Sequence, residues 1–135
     1  LFKTIEDDPS AGIEIYDYYD VEEVEVNEDP IPFAIVEQKP KFNGGDANEF
    51  SRWVNKRLVY PQICVENGVQ GRVTLSFTVM PDGSLSNISV LRGVDKELDK
   101  EALRVVSSSP RWEPGRQRDR AVPVTYTFPV IFSLR

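Results

Sequence analysis

From Val122 to Leu134 the chain alternates without a break, and no other feature restricts its fold as much. Val122, Val124, Tyr126, Phe128, Val130, Phe132 and Leu134 hold the even positions, and Pro123, Thr125, Thr127, Pro129, Ile131 and Ser133 the odd ones. A period of two over that length predicts one long strand with one buried face and one open face. Proline lacks an N–H and is confined to strands with a free side. Backbone groups of alternate residues point to opposite edges of a strand, so Pro123 and Pro129 spoil the same edge. The even edge keeps every donor and can pair with a neighbour. The odd edge keeps Thr125 and Thr127 in a gap between two prolines, a bounded slot to which a partner strand could add. Edge prolines also serve simply to prevent edge-to-edge aggregation, and this feature alone favours that plainer role.

The 135 residues suit one domain with a tail. Residues 1–32 carry eleven acids against one base, Lys3, for a net charge of −10. The remainder holds eleven acids and fifteen bases, so the overall −6 hides a mildly basic domain of +4 behind an acidic leader. The chain has no histidine, which removes Ser–His and Cys–His catalysis and histidine metal ligation. Its lone Cys64 excludes an internal disulfide and a cysteine-rich zinc site. No apolar run approaches the ~18 residues of a membrane span. The chain opens at Leu1 rather than Met, which reads as a fragment with room for a signal or anchor upstream.

Residues 1–32 mix acids with tyrosines and valines without a helix or strand stripe and read as an irregular linker, with a local strand open within Ile13–Tyr19. Phe33–Val36 is expected to be a short strand. Asp46 and Glu49 form the pattern of a capping box ahead of a helix from Ala47 to about Leu58, with Phe50, Trp53, Val54 and Leu58 at helical spacing. Pro61 opens a short helical turn through Val65, stopped by Asn67-Gly68. Gly71–Met80 is a strand with Val73, Leu75, Phe77 and Val79 on one face. Pro81-Asp82-Gly83 turns it into a second strand, Ser84–Leu91, where Leu85 and Ile88 fall on opposite parities and predict a bulge near Ser86-Asn87. Asp95 caps a helix carrying Leu98, Ala102, Leu103, Val105 and Val106. Trp112–Gly115 reads as a turn and Gln117–Arg120 as a basic loop.

A hairpin followed by a returning helix and one more strand leaves the spatial order 84–91, 71–80, 122–134, with the last strand antiparallel to the first. The predicted class is α+β, in the order β-α-β-β-α-β: an antiparallel sheet of three to four strands with two helices on one face. The segment Phe33–Val36 either extends the far edge or occupies the slot itself.

Few residues invite chemistry. Asp95, Glu97, Asp99 and Glu101 spread around a helix and interleave with Lys96 and Lys100, as a solvated face does. Gly44-Gly45 lacks the spacing of a phosphate loop. Arg111, Arg116, Arg118 and Arg120 lie near Trp112, but nucleic-acid binding needs a broader basic face with several aromatics, and the acidic leader opposes it. Trp53 and Trp112 suit a core better than a ligand platform. No catalytic residue, metal site or cofactor is expected.

Several stretches together resemble the C-terminal domain of the energy transducer TonB, in its Bacteroidetes form. They are Val36–Gly45, Tyr60-Pro61, Asn67–Val73, Pro81–Ser84, Leu91–Asp95 running into Leu98–Val106, Trp112–Gln117 and Pro129–Phe132. Asn43 stands where Pro often precedes the two glycines, and Lys96 where Pro often opens the helix. The resemblance covers about residues 33–135 and implies that residues 1–32 are the end of a periplasmic linker. It further implies a periplasmic adaptor, anchored upstream in the inner membrane, coupled to an ExbB–ExbD-type proton-driven motor. Such an adaptor grips the TonB box of outer-membrane transporters by strand addition and transmits force for nutrient uptake, siderophores included. The box-binding strand maps onto Ala121, Val122, Val124, Thr125, Tyr126, Thr127 and Phe128. Arg57, Tyr60, Pro61 and Arg116 map near the grip. A related domain at the tail of a BlaR-type zinc-peptidase membrane sensor is the alternative, and a homodimer through open edges stays open.

Overall fold

Nine consecutive residue pairs, from Gly71↔Phe132 to Val79↔Val124, form the antiparallel ladder at the centre of this protein. The structure, a computed structural model, describes residues 29–134. Its elements in chain order are β1 (Ile31–Pro32), α1 (Ala47–Arg57), α2 (Gln62–Glu66), β2 (Gly71–Val79), β3 (Leu85–Arg92), α3 (Lys96–Ser107), β4 (Gly115–Gln117), β5 (Arg120–Val122) and β6 (Val124–Phe132). The main sheet runs β1-β6-β2-β3, and β4 and β5 form a separate hairpin. The α+β class, the order 3-2-6 and the antiparallel final strand all match the expectation from sequence. The local strand expected within Ile13–Tyr19 and nearly all of the acidic leader lie outside the described residues.

Alternation decides the core. Val73, Leu75, Phe77 and Val79 of β2 and Phe128, Val130 and Phe132 of β6 are buried against Phe50 and Val54 of α1 and Leu98, Ala102, Val105 and Val106 of α3. Phe50 lies at the centre, its ring 4.9 Å from those of Trp112 and Phe128 and 5.8 Å from Phe77. Each such ring buries on the order of 150–250 Å². Trp53 and Trp112 both belong to this aromatic cluster, and Trp112 is 4% exposed. The opposite sheet face carries Thr74, Ser76 and Thr127, which are partly or fully exposed.

Helix starts follow the capping residues. Asp46 accepts from the Asn48 N–H at 3.0 Å and Asp95 from the Glu97 N–H at 2.9 Å. The capping box is not closed, because the Glu49 carboxylate turns outward to Arg52 at 2.7 Å. An ion pair one turn along the helix competes for the same side chain and wins in this exposed position. The expected bulge is present: Thr78 pairs with Ser86 but Ser76 with Ser89, and Asn87 takes φ 52°. A second bulge, at Leu91, was not expected from sequence; Leu75 pairs with Val90 and Thr74 with Arg92.

Four further expectations are corrected. The strand from Val122 to Leu134 is broken at Pro123, because Val122 pairs with Gly115 in the hairpin and only β6 joins the main sheet. The loop Gln117–Arg120 is the tip of that hairpin: Arg118 and Asp119 take φ 53° and 64°, the two positive angles of a tight two-residue turn. Trp112–Gly115 runs extended, with Glu113 bridging Lys41 through bonds of 3.0 and 2.8 Å. Phe33–Val36 forms a turn, while the strand lies just upstream at Ile31–Pro32. Asn43 departs from the family pattern for a visible reason, since its φ of 52° is closed to proline.

Gly83 ties the β2–β3 turn to the core. Its φ is 88°, and a Cβ there would stand 2.1 Å from the Trp112 carbonyl oxygen, while its own carbonyl accepts from the Trp112 N–H at 2.8 Å. Gly83→Ala is expected to cost about 2–3 kcal/mol through strain and displacement of the Trp112 backbone. A lowered urea midpoint checks this; an unchanged midpoint contradicts it.

Candidate functional site

Among the described residues, the outer edge of β6 is only partly paired, by the short strand β1. Ile31 and Phe33 donate to the carbonyls of Pro123 and Thr125, each at 2.9 Å, so the odd-numbered backbone groups of β6 do face away from β2. In this parallel register, Ile31↔Val124 and Pro32↔Thr125, the Thr125 N–H is directed at β1 as well. Beyond Phe33 no described segment pairs with this outer edge of β6. Thr127, Pro129 and Ile131 follow at the open edge, all exposed, with Ile131 at 58%. The opposite edge of the sheet, β3, is interrupted by the two bulges, which spoil it as a template.

β6 positions the predicted residues unevenly. Val124, Thr125, Tyr126, Thr127 and Phe128 lie along it. Phe128 and Val124 face the interior, and the half-buried Tyr126 ring is covered by Phe33 at 4.5 Å between centroids. Burial raises the Tyr126 phenol above its ordinary pKa, and the charge of Asp46 adds to the rise. Ala121 and Val122 sit in the hairpin, paired with Arg116 and Gly115. Arg116 is fixed there: its backbone exchanges bonds of 2.9 and 3.0 Å with Gln38, and its guanidinium donates to the Asp119 carbonyl at 2.6 Å.

Tyr60 packs at the far end of β6, with Pro61 next to it in the chain and Arg57 at the end of α1. The Tyr60 ring meets Phe132 edge-on at 5.4 Å and its hydroxyl donates to the Val69 carbonyl. Arg57 lies over the Trp53 ring at 4.3 Å, and Pro61 caps α2. A nine-residue strand spans about 27 Å, so the structure does not bring this group together with Arg116, Ala121 and Val122. The two groups stand at opposite ends of one edge.

Sequence reasoning missed the neighbours of this edge. The hairpin β4–β5 and the pairing of residues 38–41 with 113–116 build its upstream end. The signal for β1 was present in Pro30-Ile31-Pro32-Phe33: two prolines at even positions leave the odd N–H groups as donors on the opposite edge. A groove of about 840 Å³ lies beside Phe33, but its lining mixes Lys39, Lys41 and Arg116 with Glu37, Asp46 and Glu113. Among the described residues no three His, Cys, Asp or Glu side chains converge as a metal site, and no helix is long and apolar enough to cross a membrane. Asp95, Asp99 and Glu101 each accept a backbone N–H, so these carboxylates hold loops in place.

The profile described as Gram-negative bacterial TonB protein C-terminal matches residues 56–134, more than half of the chain. The chain belongs to the TonB C-terminal family. Protein TonB of Pseudomonas aeruginosa is 34% identical over 56 residues, which cover 42% of this chain and 16% of that protein. Protein TonB of Helicobacter pylori (strain 26695) is 27% identical over 99 residues, covering 70% and 33%. This chain therefore spans a third or less of these relatives' lengths. Two solution structures of the Helicobacter pylori TonB C-terminal domain share the fold. One gives a TM-score of 0.52 at 23% identity, covering 64% of this chain and 91% of that one. The other gives 0.50 at 26% identity, covering 70% and 89%.

Glu101 fastens the approach to Tyr60-Pro61. Burial disfavours its charge, yet the Arg104 guanidinium and the Val59 N–H, at 2.7 Å each, outweigh that and lower its pKa. A lowered folded pKa contributes stability that is present above the unfolded value near 4.3 and lost as pH falls through the folded value. Glu101→Ala is expected to lose about 1–2 kcal/mol at neutral pH. It should also speed hydrogen exchange at Val59, and the gap from wild type should close in acid. A gap that does not depend on pH contradicts this.

Proposed function

We propose that this TonB-family domain is the gripping end of a periplasmic energy transducer. It binds the box segment of an outer-membrane transporter as an added strand on β6 and transmits force to it. The open stretch Thr127–Ile131 of the β6 edge carries this reading, because it offers backbone donors and acceptors on a strand that is otherwise rigidly paired. Upstream of the chain, an inner-membrane helix would couple it to an ExbB–ExbD-type motor, with the acidic leader as the end of the linker.

The physical fit is good. Main-chain hydrogen bonds contribute about 0.5–1.5 kcal/mol each and tolerate varied side chains. A few of them give a reversible grip, while a load along the strand is shared among them. One domain can then serve transporters that differ in sequence. Pro129 interrupts this stretch, so that only Thr127 and Ile131 can donate along it, which limits pairing with a second copy.

Thr127→Pro tests the reading. Odd residues of β6 do not donate to β2, and prolines already occupy two equivalent positions, so the fold should persist. Calorimetry with peptides from the N-terminal segments of transporters of the source bacterium should show affinity about two- to tenfold weaker than wild type. The concentration used should be one at which sedimentation shows a monomer. Unchanged affinity contradicts the proposed edge.

A further inference from the structure

The upstream half of the docking edge is already filled by the chain itself. β1 and Phe33 lie where an incoming strand would need to lie to reach Thr125. We propose that residues 31–33 are a displaceable cover over the β6 edge, so that an incoming strand engages Thr127 first and reaches Thr125 only after the cover has swung away. This inference rests on the docking reading above.

Three observations separate a cover from a permanent fourth strand. First, the hold is slight. β1 has two residues, the donors on its side are Ile31 and Phe33 alone, and these two side chains are only partly buried, against Val36, Val122 and Val124 and, for Phe33, the half-buried Tyr126 ring. β2, by contrast, holds β6 through nine pairs. Second, the cover cannot be built upon. Pro32 stands at the position whose N–H would face outward, and Pro30 precedes it, so the outer side of β1 offers no donor there. An incoming strand cannot extend the sheet past β1; it must replace β1 or stop short of it. Third, a hinge and an anchor follow immediately. Ile35 and Val36 donate back to the Pro32 carbonyl at 3.1 and 3.2 Å, and Val36 is buried with Val122 and Val124. The Gln38–Arg116 bridge then fixes the chain, so release of residues 31–33 leaves the domain intact. Tension arriving along the chain from the leader would load the Ile31 and Phe33 bonds to the Pro123 and Thr125 carbonyls before any other described backbone bond.

A closed cover divides the apparent affinity by the fraction of molecules that are open. Two changes shift that fraction in opposite directions. Ile31→Pro removes the bond to the Pro123 carbonyl without touching β6. Pro32→Cys with Thr125→Cys places thiols on directly paired residues, where a disulfide locks the cover shut. Cys64 is buried and stays in place, its thiol counted in each preparation. With the transporter peptides as probe, Ile31→Pro is expected to bind about two- to tenfold tighter than wild type. The oxidised double-cysteine protein is expected to bind at least about tenfold more weakly than its own reduced form. The lock decides the matter: equal affinity oxidised and reduced, in protein that still binds peptide, overturns the cover and leaves the docking edge standing. If no peptide binds to wild type, to Ile31→Pro or to the reduced protein, the docking edge falls and the cover with it.

Discussion

Each strand of a sheet has two edges, and in β6 one is wholly committed while proline keeps the other from being completed. The committed edge joins β2 through nine pairs and carries the buried face of the protein with it. The other edge is set by parity alone. Pro123 and Pro129 fall on it because both are odd, and the acceptor carbonyls of Pro123 and Thr125 show the odd groups turned outward. The rest of the fold can be read as support for that arrangement. The helices and the aromatic cluster cover one face of the sheet and leave the edge clear, and two bulges blunt the competing edge at β3.

The same parity governs β1. Its prolines stand at even positions and its donors at odd ones, so it presents a paired side to β6 and a barren side to solvent. The donor side of β1 thus meets the proline-bearing edge of β6, and the prolines of β1 face outward. That limits growth of the sheet in either direction, which answers the aggregation hazard of an open edge. It also leaves a short stretch, Thr127–Ile131, in which pairing stays available. Aggregation control and docking, set apart as rival readings of the prolines, are compatible once the edge is seen to be partly covered.

Much of this was legible because strand and helix periods are local. The alternation in β2 and β6, the caps at Asp46 and Asp95, and the Pro81–Gly83 turn needed no tertiary information. The strand order followed from short connections and chain direction. What escaped was set by contacts distant in sequence. Val122 continues the alternation of β6 yet pairs with Gly115, because the Arg118-Asp119 turn folds that stretch back on itself. Glu49 had the spacing of a capping residue but was drawn to Arg52. The Phe33–Val36 run looked like a strand on hydrophobicity, whereas Ile31 and Phe33 pair and Val36 is tucked beneath the hairpin. The antiparallel pairing of β6 with β2 was read correctly. The separation of Tyr60 from Arg116 by the length of a strand could not be read from their positions in the chain.

Residue-resolved amide hydrogen exchange, with and without transporter peptide, addresses the docking edge of β6 without any substitution. Before addition the Thr127 amide should exchange quickly, and the even-numbered amides of β6, bonded to β2, should exchange slowly. On saturation the Thr127 amide should become strongly protected while those even-numbered amides stay as they were. Protection that appears instead along β3 or in the groove beside Phe33, with Thr127 still exchanging freely, would contradict it.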